Sequence, residues 1–294
     1  MSPSTITART GPAPDAKVHS IMLLAPAPQA VPPTFRKLYT SSHGHSAVLD
    51  EIRRLRGTAY LKDGAISASQ LTEDGRHVQE ADAMSWHVVG WNRDCGVVGC
   101  ARYWEHADPV RFKDLGVSRS ALAGDPVWGP KVREAVERGI AQAADSGLAY
   151  VEVGGWAVAE KIRGTPEALR IALSGYALAR SLGACIGITT ATVRHRSSTI
   201  LRRIGGRRLG SDNGEELPVY FDPQYDCDME IVCFDSRRPD PRFEDRIEEM
   251  RHDLVNATVL CAEGGLWNLD QAVRETERAP RRVSHLMVSA LQAV

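Results

Sequence analysis

One stretch restricts the fold of this 294-residue chain more than any other. Ala149–Val158 (AYVEVGGWAV) and Ala184–Thr190 (ACIGITT) are mainly apolar runs, with β-branched and aromatic residues, that have strand character. Between them Thr165 can cap a helix and Pro166 suits its first position. Leu169, Leu173, Tyr176 and Ala177 then build one apolar face before Gly183 ends the helix. Strand, helix and strand in so short a span make a crossover unit, so the two strands are predicted to lie parallel in one sheet. The fold class is therefore α/β.

The flanking sequence adds elements. Ala47, Val48, Ile52 and Leu55 recur at helical spacing, with Arg53, Arg54 and Arg56 between them. Ser85–Trp91 (SWHVVGW) and Gly96–Tyr103 (GVVGCARY) read as two strands of a hairpin turning at Asn92-Arg93-Asp94. Helices are expected over 131–144 and 197–204, a strand over 229–234, and further helices with charged faces beyond. Pro3, Pro12, Pro14, Pro26, Pro28, Pro32 and Pro33 crowd the N-terminal end, where there is little to bury. The expected division is a flexible Pro-rich arm over 1–35, one domain over 36–235, and a mainly helical extension over 236–294.

Composition excludes several classes. With 36 Lys+Arg against 37 Asp+Glu the chain lacks the cationic excess that drives phosphate-backbone binding, so no nucleic-acid partner is expected. Six cysteines at irregular spacing, with no C-x-x-C pair, read as reduced thiols. Ile21–Ala25 is too short for a signal-peptide core, and no apolar run is long enough for an integral membrane segment, so a cytoplasmic protein is expected. His43-Gly44-His45 has no third ligand spaced to help it, and no metal is expected.

The chemistry concentrates in Tyr150–Thr165. Glu152 places a carboxylate on a strand otherwise made for a core, and Gly154-Gly155 follows, where a strand can bulge or admit a ligand. Beyond the strand, Lys161-Ile162-Arg163-Gly164-Thr165 leads into a helix N-terminus, whose free N–H groups favour phosphate. A candidate base and an anion cradle thus flank a short run of extended chain. Arg194, Arg196, Arg202, Arg203, Arg207 and Arg208 form a basic block with no acid among them, a surface suited to an acidic partner.

V-E-V-G-G-W-A-V-A-E-K-I-R-G-T, followed by an alanine-rich helix, resembles the fourth strand, pyrophosphate loop and third helix of the GNAT acyltransferase superfamily. R-H-R-S-S-T-I-L-R-R-I-G-G-R-R-L is similar to that superfamily's next helix. Upstream, an arginine-bearing helix, Asp74 and Asp82 before a His-containing strand, and G-V-V-G-C-A-R-Y-W look like acyl-homoserine-lactone synthases and N-acyl amino acid synthases. The resemblance implies a GNAT-like central mixed β-sheet flanked by helices, and an N-acyltransferase acting on a primary amine, an amino acid in the first instance. The donor it implies is an acyl-phosphopantetheine on an acyl carrier protein, or acyl-CoA, used as a co-substrate with no tightly bound cofactor.

By that resemblance Glu152 is the catalytic base. Trp156, Ala157, Val158, Ile162, Arg163, Gly164 and Thr165 bind the donor, and Arg54, Asp82 and Arg102 lie on the acceptor side. From their local excess of positive charge, Arg194, Arg196, Arg202 and Arg203 are expected to dock the acidic carrier protein. Three departures stand out. The loop reads Lys161-x-x-Gly164-x-Pro166, and proline removes one phosphate donor. Thr199-Ile200-Leu201-Arg202 lacks the tyrosine that many relatives use to protonate the departing thiolate. Gly155 replaces an arginine of the lactone synthases. Two alternatives remain at this level: an acetyl-CoA-dependent acetyltransferase of a small amine or protein, and a non-catalytic module that binds acyl thioesters.

Overall fold

The computed structural model describes residues 17–210 and 214–262. In chain order its elements are β1 (Ser20–Leu24), β2 (Lys37–Thr40), α1 (Ser42–Lys62), β3 (Trp86–Asn92), β4 (Gly96–Glu105), α2 (Trp128–Asp145), β5 (Ala149–Val158) and α3 (Pro166–Ser181). They continue with β6 (Cys185–Thr192), α4 (Ser197–Arg203), β7 (Arg207–Arg208), β8 (Tyr220–Asp222), β9 (Cys227–Asp235), α5 (Glu244–Val255) and β10 (Thr258–Cys261). The strands form one mixed sheet in the order β2-β10-β1-β3-β4-β5-β6-β9-β7, with β8 pairing β9. Helices α1 and α2 pack on one face; α3 and α5 cover the other.

The crossover unit is as the sequence dictates. Thr165 caps α3 by accepting the Glu167 N–H at 3.3 Å, and Pro166 sits at its first position. Ile171, Leu173, Tyr176 and Ala177 are buried on α3, each large side chain contributing about 1.5–3 kcal/mol. β5 and β6 are parallel and pair at four positions, from Ala149↔Cys185 to Glu152↔Ile188. Beyond Glu152 the two strands diverge. β3 and β4 form the expected antiparallel hairpin.

The two ends of the chain correct the expected division. Residues 17–35 are not a loose arm: β1 lies inside the sheet, parallel to β10 and antiparallel to β3. Pro26, Pro28, Pro32 and Pro33 fall in the loop after β1, where Val31 and Phe35 are buried. Nor is the segment after 235 an appendage. It supplies α5 and then β10, which returns to the sheet between β1 and β2. Local composition misses this because both partners of β1 are remote in sequence. The rest of the expected arm, 1–16, and the rest of the extension, 263–294, lie outside the described residues.

One glycine sets how closely α1 approaches the chain that follows it. A Cβ at Gly57 would lie 2.4 Å from the carbonyl oxygen of Gly75. Alanine favours a helix by about 1 kcal/mol over glycine, but this clash is with backbone. Gly57→Ala is expected to destabilise the protein by about 1–3 kcal/mol, read as a lower midpoint in urea denaturation.

Candidate active site

Divergence of β5 from β6 opens a cavity of about 630 Å³ through the sheet. By strand alternation, Arg102 and Trp104 of β4, Glu152 and Gly154 of β5, and Thr190 of β6 share the face covered by α1 and α2. Val153, Thr189 and Leu201 line the cavity from the α3 side. Along the split edge of β5, Ala159 donates its N–H to Val98 O on β4 at 2.8 Å. Alternation therefore turns the Val158 amide away from β4, toward the gap. The register shift between Cys100 and Arg102, opposite Gly155 at φ +59°, is the bulge that starts the divergence.

Glu152 borders this cavity with most of its carboxylate already engaged. Oε2 accepts from His106 Nε2 at 3.0 Å and from the Gly116 N–H at 2.8 Å; Oε1 accepts from the Val117 N–H at 3.0 Å. A carboxylate offers about four acceptor positions, so one remains for a ligand. Burial would raise this carboxyl, but the His106 and backbone hydrogen bonds hold it below the ordinary glutamate range.

On the acceptor side a buried ion cluster abuts the cavity. Asp82 accepts from Arg56 at 2.7 and 2.9 Å, from Arg53 at 3.2 Å and from Arg102 at 3.4 Å. Burial opposes its charge, and the Arg56 contacts overcome that, holding the carboxyl far below its usual range. Arg53 is also paired with Asp50 at 3.2 Å, but two carboxylates against three guanidinium groups still leave positive charge in excess, and the Nε atoms of Arg56 and Arg102 are buried without a partner. Arg102 alone of the three lines the cavity, and its Nη1 also donates to Gln79 at 2.7 Å. Its Nη2 packs over Gly154, an ordinary contact distance of 3.5 Å from where a Cβ would stand. Arg54 does not join this group. It is exposed on the far side of α1 and paired with Asp74 at 3.1 Å.

The proposed donor segment is divided by the structure. Trp156 lines the cavity, its Nε1 buried without a partner, and Val158 turns its amide to the gap. Ala157 is buried under α1, and Ile162 is buried with Val18 and Val98. The loop amides are largely spent: Ile162, Arg163 and Thr165 donate within the loop, and Glu167 and Ala168 donate to Thr165. Pro166 has no N–H, which leaves Lys161 and Gly164. The Arg163 guanidinium holds Asp63 at 2.6 and 2.9 Å, and Lys62 pairs with Glu160, so the end of α1 is fastened to this loop.

The arginine block is also partly engaged. Arg194 donates to the carbonyls of Asp63 and Asp226, Arg202 lies 3.4 Å from Glu230, and Arg208 pairs with Glu216 and Glu230. Among the described residues Arg196, Arg203 and Arg207 make no ion pair. His106, Gly116, Val117 and Asp63 were not among the sequence candidates; their roles come from chain segments that only folding brings to Glu152 and Arg163. Among the described residues no group of three or more His, Cys, Asp or Glu could hold a metal, and no helix is long and apolar enough to cross a membrane.

No protein-family model matches the chain, and no curated protein matches its sequence. Among solved structures it is similar to BjaI, a CoA-dependent acyl-homoserine lactone synthase solved with SAM and isopentyl-CoA. The identity is 15% and the TM-score 0.51, over 88% of this chain and all of that one. The fold is GNAT-like. A second CoA-dependent acyl-homoserine lactone synthase, MesI, is 18% identical with TM-score 0.43, over 76% of this GNAT-like chain and 95% of its own. FeeM, an N-acyl amino acid synthase from uncultured soil microbes, is 12% identical with TM-score 0.40, over 67% and 87%.

Two predictions follow from the charges at this site. Glutamine at 152 would set an NH2 group against at least one of the three donors that now converge on the carboxylate. Glu152→Gln should therefore lower stability by about 1–3 kcal/mol, measured by chemical denaturation. The second concerns His77 and His87, which burial pushes down from an ordinary 6.5 to about 4. The unfolded chain protonates them near 6.5 and the folded one resists, so their contribution is full above that pH and lost as pH falls toward 4. The expected loss is about 3 kcal/mol for each. His87→Gln should flatten stability between pH 7 and 4.5.

Proposed function

We propose that this chain transfers an acyl group from a pantetheine thioester to the amine of an amino acid. The observation that carries the reading is the split between β5 and β6, with Glu152 on one wall and, further along the exposed edge of β5, Trp156, which lines the cavity. A thioester laid along that edge can direct its carbonyl oxygen to the Trp156 amide, which strand alternation turns away from β4 as it does that of Val158. The acceptor's ammonium first loses one proton to solvent, and the free amine then attacks the carbonyl carbon; Glu152, through water, takes a second proton from the nitrogen as the C–N bond forms. The C–S bond then breaks, the thiolate takes a proton from solvent, and Glu152 returns its proton to solvent. A weakened base suffices, because the nitrogen of the tetrahedral adduct is far more acidic than the starting ammonium.

The acceptor class is read from the same face. Arg102 and Glu152 lie on neighbouring strands, one positive and one negative, and both border the cavity. A guanidinium is suited to a carboxylate, so an α-amino acid fits with its carboxylate toward Arg102 and its amine toward Glu152. BjaI was solved with a CoA thioester and with SAM, itself an amino-acid derivative, which agrees with this pairing of substrates. For the donor, the fastened Arg163 and spent amides favour the single phosphodiester of a carrier-bound phosphopantetheine over the several phosphates of CoA. Arg196, Arg203 and Arg207 then present the charge for an acidic carrier. The fastened loop also favours a second reading, a module that binds the thioester without turning it over.

Purified protein incubated with acetyl-, isopentyl- and long-chain acyl-CoA, or with acyl carrier protein thioesters, and pooled amino acids should release thiol and form N-acyl amino acids. Arg102→Gln should raise KM for the amino acid at least tenfold and leave an amine lacking the carboxylate unaffected. Donor binding without thiol release would instead support the binding module.

A further inference from the structure

His106 is buried at the end of β4, behind Glu152 as seen from the cavity, and does not line it. Its Nε2 lies 3.0 Å from Glu152 Oε2. Both groups can meet only if that nitrogen carries hydrogen, since an ionised carboxylate accepts and does not donate. The imidazole ring is itself fixed by packing against Trp104, with ring centroids 4.1 Å apart. The Gly116 and Val117 amides approach the carboxylate from the following segment, so three donors hold Glu152 in one orientation.

We propose that His106 is a positioning residue for acyl transfer: it donates Nε2–H to Glu152, keeping the carboxylate ionised and its one open acceptor position turned to the cavity. This rests on the acyl-transfer reading above. It also assigns the histidine a task distinct from proton transfer, because its bonded nitrogen is already protonated and the ring is screened from the cavity by Glu152. Without that donor, Glu152 would keep two backbone partners and gain freedom to rotate and to protonate at higher pH. Other charged groups act on the same carboxylate. Arg119 lies near Gly116, Arg102 faces it from β4, and Asp114, Glu80 and Asp222 line the cavity from three further segments. Tyr150 shares its strand and is buried neutral, its hydroxyl pushed far up by burial. None of these is hydrogen-bonded to Glu152, so replacing His106 isolates its contribution.

The test compares His106→Phe, which keeps a ring against Trp104 and removes the donor, with His106→Gln, whose amide can reach the position of Nε2. The Glu152 carboxyl is followed by carbon-13 NMR of glutamate-labelled protein across pH, using Glu152→Asp to assign the signal, and thiol release is measured in parallel. His106→Phe is expected to move the Glu152 titration, and the acid limb of kcat/KM with it, upward by about one pH unit. It should also lower kcat at least tenfold with little change in KM, and His106→Gln should restore both to within about threefold. A Glu152 titration unchanged in His106→Phe, or an equal loss in both variants with the acid limb unmoved, would overturn the proposal. Absence of thiol release in the unsubstituted protein would count against acyl transfer alone, because the NMR comparison reads the His106 contact without turnover.

Discussion

The site depends on two parallel strands that stop pairing. β5 and β6 share four rungs and then separate, because Gly155 takes a left-handed backbone conformation and β4 gains a register shift opposite it. Unpaired backbone inside a sheet is costly unless something occupies the gap. Here the gap opens a cavity through the sheet, and the exposed edge of β5 offers an amide to whatever fills it. Arg56 and Arg102 press against Gly155 from the α1 side, where a Cβ would lie 3.3 Å from each. The bulge and the buried ion cluster therefore pack directly against each other.

Around that gap, charge is arranged by scarcity of partners. Asp82 is shared among three arginines, so the cluster keeps a positive excess next to the cavity, while His77 and His87 stay neutral under burial and the nearby guanidinium charge. Glu152 stands in the opposite situation, one carboxylate with three donors. Opposite signs therefore meet on one face of the sheet. At the other mouth, Asp63 and Glu160 neutralise Arg163 and Lys62, so the loop that would meet a phosphate is nearly balanced.

Much of the fold could be read locally. The crossover unit, the β3–β4 hairpin and α1 follow from periodicity and capping, since each is stabilised by residues close in sequence. β1, β2 and β10 could not be read that way: they are short, and each is held by neighbours more than 200 residues away in the chain or on the far side of a helix. The same limit applied to the site. Glu152 was legible as a carboxylate on an apolar strand, and Arg102 and Asp82 only through the family resemblance. His106 and the amides of Gly116 and Val117 were not, because a lone histidine and two loop amides carry no pattern until the chain after β4 folds over β5.

The sequence by itself determined that this chain would build a parallel crossover with a carboxylate on its first strand and a capped helix after it, because strand alternation, helical period and the Thr165-Pro166 cap are local properties. Only the tertiary structure decided what those groups can do. It took the loop arginine for Asp63, left one acceptor position on Glu152, and placed Arg102 beside it, because hydrogen-bond partners and unpaired charges are settled by which distant segments meet.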